Sequence, residues 1–273
     1  MCRISIYASA REPRGFRRYL KSFILGSLND FVLDGYRRGR RTHGHGWGYA
    51  YVYGFGSDMG FSFYKTSLPI TTDGIKKIAL PKSFDWIMMV MHSRLTSSEP
   101  IDAVNSHPYY LQLPGKLSIW LVHNGAVDKN AIARYLGMEG VVGLYSDSFF
   151  LTLLLGRKIE SVEHNSIVSA VKDIVEMNIV KSSLNFAAIL LDDISKNVIG
   201  LAVNYVSEDH LNMFDYYTLY TVELGNGATA VASSTVALYL NRLYGYQAKP
   251  LNNKVMLLLR PERDSIRVDL RQL

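Results

Sequence analysis

The chain contains a single cysteine, and it is the second residue, Cys2. A thiol is a nucleophile and an α-amine is a base, so removal of Met1 would place both groups on one residue. The same pairing operates in enzymes that begin with a nucleophilic threonine. Cys2 therefore predicts attack on a carbonyl carbon, provided that other residues supply the groups which such a reaction needs.

Polar side chains are concentrated in five short stretches that border apolar, strand-like runs. These stretches are HGHGWG at 43–48, MHSRLTSSEP at 91–100, NSHPYY at 105–110, LVHNGAVDKN at 121–130 and YSDSFF at 145–150. Polar residues at the ends of buried strands are commonly placed to meet a ligand. We therefore expect the five stretches to converge on one binding site.

Three of these stretches carry groups suited to an amino-acid amide. A carbonyl attacked by a thiol becomes an oxyanion, and Asn124–Gly125 can offer it a side-chain amide and a backbone N–H. Arg94 can hold a carboxylate through its guanidinium fork, and Asp147 can pair with an ammonium group. Each group also has a structural alternative: a turn for Asn124–Gly125, a salt bridge for Arg94 and a helix cap for Asp147.

The order of the motifs resembles the class II glutamine amidotransferases, the cysteine branch of the N-terminal nucleophile hydrolases. The motifs are Cys2-Arg3, HGWG, HSR-x-T, N-x-HP, HNG and SDS. They extend from residue 2 to about residue 155, and AVASS at 230–234 is similar to a late strand of the family. The opening MCR with HGHGWG looks most like the small stand-alone members, among them the γ-glutamyl hydrolases of ergothioneine synthesis.

The resemblance implies both a fold and a reaction. The fold is α+β, a four-layer αββα sandwich of two antiparallel sheets. The reaction is hydrolysis of the side-chain amide of L-glutamine, or of a γ-glutamyl amide, through a Cys2 thioester that releases ammonia or an amine. We expect no cofactor, a glutamine or γ-glutamyl small molecule as substrate and, as one alternative, a separate synthase subunit that accepts the ammonia.

The resemblance also implies a role for each site residue. Cys2 would be the nucleophile, and Asn124 and Gly125 would form the oxyanion hole. The residues expected to bind or surround the substrate are Arg94 at its α-carboxylate, Thr96 or Ser97 beside that group, Asp147 at its α-ammonium, and His107, Trp47 and Gly48 around the pocket.

The sequence departs from the family pattern at three places. The hydroxyl expected three residues after the arginine is that of Ser97, while Thr96 lies one residue earlier, so either can contact the substrate. His45 stands where single-domain relatives often carry an acid, and SSEP after Thr96 lacks the glycine common there. The altered hydroxyl and His45 motivate a rival hypothesis, an inactive member that binds glutamine or acts as a regulatory subunit.

The elements that must position these residues follow from hydrophobic periodicity. Helices are predicted at 15–33, 129–137, 148–156 and 164–180, and 34–48 is a glycine-rich, basic loop. Strands are predicted at 3–8, 49–56, 60–66, 84–94, 116–125, 185–193, 197–206, 216–224, 228–234, 254–261 and 265–270. Helices grouped between two sets of strands indicate α+β layers and not alternating βαβ units.

Composition sets the broad class of the protein. Of the 273 residues, 48% are hydrophobic and 20% charged, which is typical of a folded chain, and we expect a single domain over 1–273. No apolar run reaches the roughly 20 residues that span a bilayer. A single cysteine fits a reducing compartment, so we expect a cytoplasmic protein without a membrane partner. A homo-oligomer is left open.

Two further patterns carry weaker functional hypotheses. The net charge of +6 is concentrated early, in segments such as RRGRR at 37–41, which could contact nucleic acid. No nucleic-acid module accompanies these segments, so a solvated helix face and loop is the simpler interpretation. His43, His45, His92, His107 and His123 lack a metal-ligand spacing, so no metal site is predicted.

Overall fold

The computed structural model describes residues 2–39, 41–74, 78–96, 99–113, 117–225 and 227–273. The strands in these ranges are β1 (Arg3–Ala10), β2 (Trp47–Phe55), β3 (Asp58–Thr66), β4 (Trp86–Ser93), β5 (Tyr109–Leu113), β6 (Leu117–Val127), β7 (Val180–Asp192), β8 (Val198–Asn204), β9 (Leu219–Gly225), β10 (Ala228–Ser233), β11 (Ala248–Pro250), β12 (Val255–Pro261) and β13 (Ile266–Gln272). The helices are α1 (Phe16–Leu28), α2 (Phe31–Tyr36), α3 (Ile70–Asp73), α4 (Lys129–Leu136), α5 (Asp147–Lys158), α6 (His164–Glu176), α7 (Phe214–Tyr217) and α8 (Ser234–Tyr244), with 3₁₀ turns at Glu139–Val141 and Glu208–Met213. None of the helices in these ranges has the length and apolar character that a membrane span needs.

The strands form two antiparallel sheets. The first has the order β11-β9-β10-β1-β4-β2-β3, and the second has the order β13-β12-β8-β7-β6-β5. β1 therefore lies in the interior of its sheet although it is first in the chain, and it pairs with β10 from more than 200 residues away. β4 is its other neighbour.

Alternation along the strands divides the apolar side chains among three packed layers. In β1, Ile4 and Ile6 face the second sheet, while Tyr7 faces α1 and α8, because successive side chains point to opposite faces. On the far side of the second sheet, α4, α5 and α6 cover another apolar cluster. The order of layers is helix, sheet, sheet, helix.

The structure confirms most predicted elements and corrects two of them. The helix predicted at 15–33 ends at Leu28, and a new helix starts after Asp30, whose carboxylate accepts a hydrogen bond from the N–H of Leu33 at 3.0 Å. The strand predicted from 216 begins at Leu219, because α7 occupies the residues before it.

Several neighbouring strands of the first sheet begin or end along the same side of the sheet, perpendicular to the strands, and this side is called the strand-end edge. Arg3 pairs with Ser93, the last residue of β4, and Ser93 pairs with Trp47, the first residue of β2. The backbone N–H of Ile4 donates to the Oγ of Ser233, the last residue of β10, at 2.9 Å. Since β1 begins where β4 ends, the strand-end edge brings the residues before Arg3 close to those after Ser93.

Candidate active site

Cys2 lies at the strand-end edge and opens into a cavity of about 290 Å³. Its backbone N–H donates to Oδ1 of Asn124 at 2.8 Å. Its Sγ lies 3.8 Å from the carbonyl oxygen of Leu95, and the residue is only 9% exposed. The thiol is therefore held in place from the backbone side while it remains in contact with the cavity.

Asn124 and Gly125 lie inside β6 and do not form a turn, which excludes the structural alternative for this pair. Because Oδ1 of Asn124 accepts from Cys2, its Nδ2 points elsewhere, and that buried Nδ2 has no hydrogen-bond partner among the described residues. Gly125 lines the cavity, and a Cβ there would overlap the carbonyl oxygen of Ser183 and lie 2.6 Å from its Oγ. Only glycine fits at this position without a shift of β7.

Arg94 follows β4 directly and lines the same cavity with its side chain 3% exposed. Its backbone N–H donates to the carbonyl oxygen of Gly46 at 2.8 Å, which fixes the start of the segment. Nη1 donates to the carbonyl oxygen of Pro100 at 2.7 Å, and Nη2 has no hydrogen-bond partner within the described part of the chain. A buried guanidinium thus presents a donor beside the cavity.

Asp147 is the first residue of α5, but neither it nor Ser146 caps that helix through a side chain. Oδ2 of Asp147 accepts from the N–H of Val127 at 3.0 Å, and Oδ1 accepts from the hydroxyl of Ser148 at 3.2 Å. The Oγ of Ser146 is instead 2.6 Å from the hydroxyl of Tyr109. The cap alternative for Asp147 is therefore wrong, and its carboxylate lines the cavity.

Three buried histidines adjoin these groups. His107 and His123 line the cavity, and the ring of His92 stacks on that of His107 with 3.9 Å between centroids. Nδ1 of His123 lies 2.9 Å from the Oγ of Ser148. Burial lowers the pKa of all three rings, so they are neutral at pH 7. No group of acids, histidines or cysteines in the described ranges has a metal-binding arrangement.

A buried ion pair supports the start of β1. Nε of Arg3 lies 2.8 Å from Oδ2 of Asp30, and Nε2 of His43 lies 2.7 Å from the same oxygen. Burial opposes the charge of Asp30, but Arg3 and His43 outweigh it and hold the pKa of that carboxyl below its usual range. Burial lowers the pKa of His43 to about 4 against the pull of Asp30.

Not every predicted pocket residue reaches the cavity. Trp47 faces the outer helix layer, where its Nε1 donates to Asp73 at 3.2 Å, so its side chain does not line the cavity and its role around the pocket stays a prediction. Gly48 is also outside the lining, although a Cβ there would overlap the carbonyl oxygen of His107. Thr96 lines the cavity, whereas Met1 and Ser97 lie outside the described residues, so the choice between the two hydroxyls remains a prediction.

The lining also contains residues to which the motifs assign no role. They are Arg37, Glu99, Ser148, Ser182, His210 and Tyr217. Glu99 and Ser148 lie within the polar stretches at 91–100 and 145–150, so the sequence already indicates that they are close to the site. Arg37 belongs to the basic segment RRGRR, whereas Ser182, His210 and Tyr217 come from distant parts of the chain and reach the cavity only through the fold, which no local pattern reveals.

Solved structures supply a comparison for this arrangement. The chain is similar, with a TM-score of 0.59 and 16% identity, to a structure described as the allosteric regulatory enzyme of purine biosynthesis, covering 97% of this chain and 48% of that one. It is also similar, with a TM-score of 0.56 and 15% identity, to the glutamine phosphoribosylpyrophosphate amidotransferase from B. subtilis complexed with ADP and GMP, covering 98% of this chain and 49% of that one. The chain has the N-terminal nucleophile hydrolase fold.

The predicted four-layer αββα sandwich of two antiparallel sheets is thus confirmed as the N-terminal nucleophile hydrolase fold. The chain spans about half the length of each of these solved structures. The sequence matches no protein-family model and no curated protein. At this level of identity the likeness establishes the fold alone.

Proposed function

We propose that the chain hydrolyses the side-chain amide of L-glutamine or of a γ-glutamyl amide through a thioester at Cys2. One observation carries the proposal: the amide oxygen of Asn124 accepts a hydrogen bond from the N–H of Cys2, while its buried NH₂ group has no partner among the residues that the structure describes. An unpartnered buried donor is costly, and it is expected where charge develops only during a reaction. The side chain that carries this donor is hydrogen-bonded to Cys2, the residue that bears the thiol.

The first step forms the thioester. After loss of Met1, the α-amine of Cys2 takes the thiol proton as Sγ attacks the amide carbon. The carbonyl oxygen becomes an oxyanion that receives hydrogen bonds from Nδ2 of Asn124 and the N–H of Gly125. The carbon–nitrogen bond then breaks, and the α-ammonium returns its proton to the leaving nitrogen, which departs as ammonia or an amine.

The second step regenerates the thiol. A water molecule gives a proton to the same α-amine as its oxygen attacks the thioester carbon. The carbon–sulfur bond breaks, and the sulfur recovers a proton from the α-ammonium. The product is the glutamate side-chain carboxylic acid, which loses its proton to solvent at neutral pH, so one water is consumed for each ammonia or amine released.

The remaining lining fits the α-carbon end of such a substrate. Arg94 offers a buried donor for the α-carboxylate, and the Asp147 carboxylate suits the α-ammonium. Thr96 lines the cavity beside Arg94 and is in place to assist it. The neutral His107 shapes the wall and adds no charge to it.

The comparison is in keeping with this chemistry, since one similar structure is named as a glutamine phosphoribosylpyrophosphate amidotransferase. We propose that residues 1–273 form one amidohydrolase-type domain, because the two sheets pack on a shared apolar layer. Ammonia would be released directly or passed to a separate synthase subunit. Capture of a synthase-like partner would favour the second route, and turnover of a γ-glutamyl compound by the isolated protein the first.

Intact mass spectrometry before and after treatment with a glutamine-derived electrophile tests the proposal. It reports the removal of Met1 and the labelling of Cys2 together. Processed protein is expected to release ammonia or amine from glutamine or a γ-glutamyl panel, while Cys2→Ala, which differs by one sulfur atom, is expected to be inactive. No release by protein with a free Cys2 contradicts the proposal, and tight glutamine binding without turnover supports the inactive-member hypothesis instead.

A further inference from the structure

The cationic end of the cavity already contains a carboxylate, that of Glu99. Its Oε2 lies 3.6 Å from Nη2 of Arg94, and its Oε1 lies 3.6 Å from Nζ of Lys129. Oε1 also accepts a hydrogen bond of 3.2 Å from the N–H of Asp147 at the start of α5, a helix of 12 residues. Two cations and a helix N-terminus together form an anion site.

Glu99 engages Arg94 by charge and not by a hydrogen bond. A separation of 3.6 Å is beyond hydrogen-bond distance, and the buried Nη2 of Arg94 has no other partner among the described residues. Nη1 is already committed to the carbonyl oxygen of Pro100. One donor of this buried guanidinium is therefore available to a carboxylate that can approach more closely.

The surroundings of Glu99 weaken the attraction between its carboxylate and the two cations. Its side chain is 20% exposed, so part of its attraction to the two cations is screened by solvent. Burial and then the neighbouring Asp147 charge raise the pKa of Glu99, against the attraction of Lys129 and Arg94. The carboxylate is thus near its cations without being fixed to them by short contacts.

We propose that Glu99 competes with the α-carboxylate of the substrate for the anion site formed by Arg94 and Lys129. This inference rests on the proposed function and names the residue that sets substrate affinity. Two carboxylates repel each other in one site, so substrate binds only after Glu99 has moved away from Arg94. The affinity for glutamine is reduced by the fraction of molecules in which Glu99 occupies the site.

The test is the kinetics of Glu99→Gln, which keeps the shape of the side chain and removes its charge. The KM for glutamine is expected to fall about tenfold, equivalent to about 1.4 kcal/mol. The kcat is expected to be unchanged, because the groups around Cys2 are untouched. Glu139→Gln is the matched control, since Glu139 is an exposed acid that does not line the cavity, and its KM should equal that of the wild type.

A substrate without the α-carboxylate separates competition from a general change of charge. The α-amide of L-glutamine keeps the α-ammonium, and Glu99→Gln should not lower its KM. Glu99→Ala removes the same charge in a different shape and should repeat the gain for glutamine. Calorimetry of glutamine binding in a Cys2→Ala background should show the gain as a lower Kd without turnover.

The outcomes distinguish this inference from the proposed function. An unchanged or raised KM for glutamine in both Glu99 variants overturns the inference, and so does an equal gain for the α-amide. In either case wild-type release of ammonia leaves the proposed function standing. Absence of release by wild-type protein with a free Cys2 defeats the proposed function itself.

Discussion

At the scale of single residues, Asn124 has two tasks that belong to different atoms. Its Oδ1 accepts a hydrogen bond from the N–H of Cys2, and its Nδ2, which has no partner in the described part of the chain, is the proposed oxyanion donor. The two tasks are separable, because aspartate keeps an oxygen for the nitrogen of Cys2 and removes the donor. Alanine removes both atoms.

Asn124→Asp is expected to lower kcat by about 10²–10³, the usual effect of losing one oxyanion donor. The KM should change little, because the donor interacts with charge that exists only after attack. Asn124→Ala should lose at least as much, since the nitrogen of Cys2 then also loses its acceptor. Steady-state kinetics with glutamine measure both variants, and a kcat for Asn124→Asp within twofold of the wild type would rule out this role.

Sequence patterns locate individual site residues well where a motif is local. Cys2, Arg94, Gly125 and Asp147 all line the cavity, and their roles in catalysis and substrate binding stay predictions. Trp47 does not line the cavity, because β2 alternates and its first side chain points to the outer helix layer, a direction that the HGWG motif does not specify. The approach of the Glu99 carboxylate to Arg94 could not be predicted either, since it depends on how the tertiary structure places the two side chains.

At the scale of secondary structure, the site depends on how closely β6 and β7 approach. Gly125 pairs with Leu184, and the position of its missing Cβ is filled by the backbone and hydroxyl of Ser183. The hydroxyl of Ser183 in turn donates to the carbonyl oxygen of Asn124 at 2.7 Å. The two strands therefore fix the orientation of both proposed oxyanion donors.

Gly125→Ala is expected to destabilise the fold by about 1–3 kcal/mol, because the new methyl group displaces β7. The kcat should also fall, since the displaced strand carries the Ser183 contact that orients Asn124. Gly143→Ala is the control: Gly143 has open space around it and no left-handed φ, so its stability should stay within about 0.5 kcal/mol of the wild type. Denaturant unfolding and glutamine kinetics on both variants provide the measurement, and equal stability of the two variants contradicts the close-approach argument.

The sequence predicts the elements better than their pairing. Alternation identifies β1, whereas a nearly continuous apolar run identifies β6, whose side chains meet apolar layers on both faces of its sheet. The break at Asn29–Asp30 escapes detection because the apolar spacing continues through it, while the buried Asp30 starts a new helix there. The pairing of β1 with β10 joins residues more than 200 positions apart, so it depends on packing and not on any local signal.

At the scale of the whole molecule, the fold encloses several titratable groups in its interior. Asp30, His43, His92, His107 and His123 are all buried. The histidines are neutral in the folded protein at pH 7, because burial lowers the pKa of each ring. In the unfolded chain the same rings have an ordinary pKa of about 6.5 and take up protons readily.

This difference predicts how stability depends on pH. Between about pH 6.5 and pH 4 the unfolded chain binds a proton at His43 that the folded protein refuses, so the free energy of unfolding falls as the pH is lowered through this window. The other three buried histidines add to the fall in the same direction. Asp30 acts separately: because its pKa is lowered, its contribution to stability is lost only as the pH falls through the ordinary carboxyl range and below it, where the unfolded chain takes up a proton that the folded protein refuses.

Urea unfolding at intervals from pH 7 to pH 4 measures this dependence. His43→Gln keeps a polar side chain next to Asp30 but cannot take up a proton. Its slope of unfolding free energy against pH should be shallower than that of the wild type by about 1.4 kcal/mol per pH unit, the value for one proton. The variant will be less stable at pH 7, because the buried Asp30 carboxylate loses its contact with the His43 ring. This loss lowers the free energy of unfolding equally at each pH and leaves the slope unchanged. Identical slopes for the two proteins would show that His43 takes up its proton equally in the folded and unfolded states. The conclusion that burial lowers the pKa of His43 beside the Arg3–Asp30 pair would then be wrong.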